Sequence, residues 1–214
     1  MRYFALLIAF ALPAHAHDAG QFTVLERREI GLEAAPTAPA QVLRLSLAYF
    51  KDGGWSPDSI IAAVRRSAQI LRQCGIVLTQ AELVLLDAPE RYRYYLTPLS
   101  RELARAVPLR KPAVYFVIDS RQQPAFDAEA IGRGNSRSRP ELADTVWVTR
   151  GTRDPGIALA HEIAHVLMDS GEHSDEPGNL MRDETSPEST LFSPAQCARL
   201  RKTGTANALL DPPR

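Results

Sequence analysis

The stretch Ala160-His161-Glu162-Ile163-Ala164-His165-Val166-Leu167-Met168-Asp169-Ser170-Gly171-Glu172-His173, with Gly178-Asn179-Leu180-Met181 just beyond it, decides how the rest of the chain is read. His161 and His165 are four residues apart, which on a helix puts them on one face, one turn above the other. Two imidazoles placed that way reach a single tetrahedral zinc, which takes nitrogen at about 2 Å. Glu162, next in the helix and slightly round it, is placed to hold a metal-bound water as general base. Five histidines occur in the 214 residues: His15 and His17 near the N-terminus, and His161, His165 and His173 within one run of thirteen. Core histidines would scatter, so this concentration points to three-histidine metal binding.

The third ligand needs its own argument. Asp169 continues the four-residue series, but a straight helix rises about 12 Å between positions 161 and 169, too far for one metal. Asp169 is expected instead to accept a hydrogen bond behind the ligands or to help end the helix. Gly171 is expected to take the left-handed conformation that turns the chain back, leaving His173 free to return to the metal. Glu184 or Glu188 on a later helix would be the other solution. Pro177, Gly178 and Pro187 make the intervening sequence read as loop, which favours His173.

These residues resemble the metzincin metallopeptidases and, within them, the matrixin-like pattern. His161, Glu162 and His165 match directly, and the spacing from His173 to Met181 matches that from third histidine to turn methionine. The usual motif is HExxHxxGxxH; here Met168 stands at the glycine position and His173 comes two residues later. The resemblance covers roughly residues 157–182. It implies zinc held by His161, His165 and His173, with Met181 in a tight turn beneath the metal. It also implies an edge strand above the cleft, expected at Ile131-Gly132-Arg133-Gly134, on which extended peptide pairs by strand addition. Arg133 and Arg137 there would favour acidic substrate residues, against the plainer reading of a solvated basic loop.

Earlier in the chain, Met1-Arg2, the apolar run Tyr3 to Leu12 and Pro13-Ala14-His15-Ala16 read as a signal peptide cleaved after Ala16 (residues 1–16). The run is too short for a membrane span, so export to the periplasm or outside the cell is expected, without stable membrane insertion. Formal charge is +0, and removing Arg2 with the signal leaves −1; nothing here asks for nucleic acid or an acidic membrane. The length suits one domain, expected over 41–206, with a flexible lead at 17–40 and a tail at 207–214. Within the lead, Phe22 to Leu25 can dock as a short strand.

The expected fold class is α/β (α+β): a single metzincin-like zincin domain with a twisted mixed sheet, a crossover helix, an active-site helix and a C-terminal helix. A strand from Val42 to Phe50 is followed by a helix capped by Ser56 and opened by Pro57, with Ile60, Val64, Ala68 and Leu71 buried. Ile76 to Leu78 and Val84 to Leu86 supply the return strand or strands, making a crossover unit. Tyr92, Tyr94 and Tyr95 either line a substrate cleft or pack by their edges. Residues 113–119 form the clearest buried strand, and Thr145 to Thr149 another. Asp154 caps the zinc helix, Pro155 opens it, and it should run to about Ser170. Ser193-Pro194 starts the last helix, ending near Gly204.

In an exported chain the two cysteines, Cys74 and Cys197, are expected to form a disulfide. Together these features point to a zinc-dependent endopeptidase in which Glu162 activates a zinc-bound water. It would act as a monomer on a protein or peptide substrate. The alternative is an exported zinc-binding domain of the same fold with little peptidase activity.

Overall fold

The computed structural model describes residues 21–32, 39–121, 130–134 and 138–212. The expected signal peptide, His15, His17 and Arg137 lie outside the described residues. The strands are β1 (Thr23–Gly31), β2 (Gln41–Leu43), β3 (Leu45–Phe50), β4 (Ile76–Val77), β5 (Gln80–Asp87), β6 (Ala113–Val117), β7 (Ala130–Arg133), β8 (Thr145–Thr149) and β9 (Leu210–Asp211). The helices are α1 (Pro57–Leu71), α2 (Thr97–Ala106), α3 (Pro155–Met168) and α4 (Pro194–Ala206). Among the described residues no helix is long and apolar enough to cross a membrane.

Every residue of β3, β6 and β8 is buried, as expected of central strands covered on both faces. They form the middle of a six-stranded sheet ordered β1-β5-β3-β6-β8-β7. The four inner strands are parallel, and β1 and β7 close the two edges in antiparallel sense. Parallel neighbours need a long crossover, and α1 supplies it between β3 and β5. Its start is written locally: Ser56 and Ser59 exchange side-chain-to-backbone bonds, and Pro57 needs no helical N–H partner.

One sheet face packs against α1 and α3, through Leu47, Val114, Phe116 and Val148 on the sheet and Val64, Ile163 and Leu167 on the helices. The opposite face buries Tyr92, Tyr95, Tyr115 and Trp147 with Leu103 of α2. Tyr92 and Tyr95 are therefore core residues and do not line a cleft, while Tyr94 lies under the Arg121 guanidinium, 3.6 Å from its ring centre. The twisted sheet, the crossover helix and the helix carrying His161 and His165 are those expected from the sequence.

Three segments differ from expectation. The first strand divides at Arg44: β3 joins the large sheet, whereas β2 pairs with β4 and β9 in a separate three-stranded sheet. Ile76–Val77 thus belongs to the small sheet, and Leu210–Asp211, read as tail, is a paired strand there. Thr23 to Gly31, read mostly as lead-in, pairs along the whole of β5.

Candidate metal centre

Helix α3 begins where its residues dictate. The Asp154 carboxylate accepts from the N–H groups of Gly156 and Ile157, at 3.1 and 3.0 Å, and Pro155 follows at the first turn. The helix stops at Met168 because Asp169 takes the left-handed conformation, φ +47°. This corrects the role expected of Gly171, which has no positive φ. An aspartate tolerates the left-handed region better than most residues, so the turn arrives two residues earlier. Asp169 ends the helix and lies outside the histidine cluster, as do Glu184 and Glu188.

The chain then loops so that His173 faces the helix. The Nε2 atoms of His161 and His165 are 2.9 Å apart, and those of His165 and His173 are 3.2 Å apart. A tetrahedron with legs of about 2 Å has edges of roughly 3.3 Å, so these separations suit one small cation. The far side of each ring fits as well. His161 Nδ1 faces the Leu180 carbonyl at 2.8 Å, and His165 Nδ1 faces the Ser170 carbonyl at 2.7 Å. A carbonyl only accepts, so both Nδ1 atoms carry the proton and both Nε2 lone pairs point inward. Converging lone pairs repel unless a cation lies between them. Burial pushes His161 down to about 4 and also lowers His165, favouring the neutral rings that a metal needs. His173 turns its Nδ1 toward Asp183 Oδ1 at 3.2 Å.

The turn at Gly178 to Met181 holds this geometry from below. Leu180 gives its carbonyl to His161, while the Met181 carbonyl accepts from Ser174 N–H at 2.7 Å, one residue past His173. Met181 is buried in the main core, 1% exposed. The turn is in turn fastened to α4. Asn179 and Gln196 exchange two amide hydrogen bonds of 3.0 and 3.1 Å, and Asn179 Oδ1 also accepts from Met181 N–H. Gln196 completes the capping box of α4 with Ser193. Next to it, Cys197 is joined to Cys74 in a disulfide, with Cα atoms 4.7 Å apart.

Glu162 faces β7. The Gly132 N–H donates to its carboxylate, and a Cβ added at Gly132 would collide with Glu162 Oε2. Burial pushes Glu162 up to about 7, against that hydrogen bond and the nearby Arg133 charge. Such a carboxyl both takes and returns a proton near neutrality. Arg133 itself donates from Nε to the Tyr95 hydroxyl at 2.9 Å, an anchorage to the tyrosine core that the sequence reading did not anticipate.

Neither a protein-family model nor a curated protein matches the chain. Among solved structures, a crystal structure of metalloproteinase-II from Bacteroides fragilis matches 82% of this chain with TM-score 0.50 and 19% identity. The two chains share a fold. The chain spans 57% of the length of that metalloproteinase. Within this fold, α3 brings two histidines and the loop after it brings the third, a cluster able to coordinate a metal ion.

Sequence reading identified the histidines, and placed Gly132 in the edge strand, but missed the contact of Gly132 with Glu162 and the supporting roles of Asn179, Gln196 and Asp183. A glycine inside a strand was the one available signal, since it marks close approach by another group. The supporting carbonyls of Ser170 and Leu180 leave no trace in residue identity.

Proposed function

We propose that this chain is an exported, monomeric zinc-dependent endopeptidase, matrixin-like in its spacing from His173 to Met181, acting on a protein or peptide substrate. The observation that carries this reading is the convergence of three Nε2 atoms beside Glu162. Zinc bound there would supply Lewis acidity to a substrate carbonyl and acidify water. The chain's own residues do the rest. His161, His165 and His173 hold the cation through Nε2, with His161 and His165 fixed as Nδ1–H tautomers by the Leu180 and Ser170 carbonyls. The Glu162 carboxylate takes a proton from the attacking water and returns it to the leaving amine, and Gly132 N–H orients that carboxylate. β7 is an edge strand of the sheet, which suits pairing with extended peptide. Export is supported by the N-terminal pattern, and the described disulfide suits an oxidising compartment.

The test is cleavage of an unbiased peptide library by the zinc-loaded protein beside Glu162→Gln. The variant should keep its zinc and lose at least about 100-fold in rate. Equal cleavage by both would remove Glu162 from the chemistry. Zinc bound without any cleavage by the wild type would favour the non-catalytic zinc domain.

A further inference from the structure

We propose that Asp183 is a positioning residue for His173, fixing the ring so that its Nε2 lone pair faces the metal. This rests on the metal-centre reading above.

His161 and His165 each give Nδ1 to a backbone carbonyl that the fold holds in place. His173 has no such carbonyl: its Nδ1 meets a side-chain carboxylate, Asp183 Oδ1 at 3.2 Å. It is also the least enclosed of the three, with 37% of its side chain accessible, whereas His161 is 4% exposed. A ring on an exposed loop turns freely about its side-chain bonds unless a partner selects one orientation. Two clasps bring that partner into reach. Ser174 N–H donates to the Met181 carbonyl at 2.7 Å, and Arg182 Nη1 donates to the Asp175 carbonyl at 3.1 Å. They run segment 173–175 beside segment 181–183, leaving His173 opposite Asp183.

A carboxylate accepts and never donates when ionised, so it selects the Nδ1–H tautomer and leaves Nε2 basic. It also raises the ring's donor strength more than a neutral carbonyl does. Asp183 is itself 90% exposed, so water competes for both groups and the carboxylate acts by orienting the ring rather than by adding buried strength. Glu184, the next residue, carries the same charge on an exposed side chain, which makes it the control for general negative potential.

The experiment measures zinc affinity of the full-length protein by competition with a chromogenic chelator, for Asp183→Ala, Asp183→Glu, Glu184→Gln and His173→Ala. Histidine nitrogen NMR of the zinc-loaded protein supplies the tautomer of His173. Expected is a loss of affinity of roughly 10–100-fold for Asp183→Ala, recovery in Asp183→Glu, and no change for Glu184→Gln. Among the variants that keep His173, its Nδ1 proton signal should broaden or vanish in Asp183→Ala alone. Asp183→Ala binding zinc as wild type does, or Glu184→Gln losing as much, overturns the positioning role while leaving the metal centre standing. A wild-type protein that takes up no zinc, or one indifferent to His173→Ala, overturns the centre and the positioning role with it.

Discussion

Gly132 serves Glu162 in two ways at once: its missing side chain leaves room for the carboxylate, and its N–H donates to it. Alanine keeps the N–H and loses the room. Gly132→Ala should therefore displace Glu162 or push β7 away from α3, costing about 1–3 kcal/mol of stability through overpacking. Turnover should fall further than stability does, with zinc retained; denaturant unfolding beside metal analysis and peptide cleavage checks this, and an unchanged rate would show that Glu162 accommodates the methyl. Legibility at this scale was uneven. His161, Glu162, His165 and His173 announce themselves by type and spacing, because metal chemistry restricts the residues that serve. Gly132 acts across 30 residues of chain on Glu162, and nothing in its immediate neighbourhood records that partner.

Among elements, the join between the methionine turn and α4 sets how firmly the centre is held. Asn179 is buried, and its amide is matched by that of Gln196. Asn179→Ala strands Gln196 Nε2 and frees the Met181 N–H, an expected loss of about 1–3 kcal/mol by the cost of unmade hydrogen bonds. Zinc affinity should drop with it, since Leu180 carries the carbonyl for His161. Chemical unfolding with and without zinc reads both effects. A second join lies far from the metal, where the Glu141 carboxylate accepts from Arg101 and Arg105 of α2. Those arginines hold it near 2, below its ordinary 4.5. Stability from this group is thus complete above pH 4.5 and disappears as pH falls toward 2. Unfolding midpoints of Glu141→Gln should change less over that window than those of wild type; parallel curves would show the pairing contributes nothing. Element starts were legible where a cap and a proline coincide, at Ser56-Pro57, Asp154-Pro155 and Ser193-Pro194. The end of α3 was legible in part: Asp169 was read as a residue that could help end it, but the left-handed turn was expected at Gly171, the commoner residue for it, and falls at Asp169.

At the level of the whole molecule, the large sheet was readable from continuous apolar runs such as Ala113 to Val117, whereas the small sheet was not. Its strands are two or three residues long, and Leu43 pairs with Leu210 from the opposite end of the chain, so no local period marks it. The Cys74–Cys197 bond binds the same two regions, joining cysteines 123 positions apart. By loop entropy it should contribute about 4–5 kcal/mol, less any native strain. The denaturant midpoint should fall on reduction, and a Cys74→Ser, Cys197→Ser double variant should match the reduced protein. The bond has another consequence. It makes the chain from 74 to 197 a closed ring, and that ring contains all three histidines, Glu162 and β7. One backbone cut anywhere inside the ring leaves a single covalent molecule. A chain nicked there would travel as one band without reductant and as two with it.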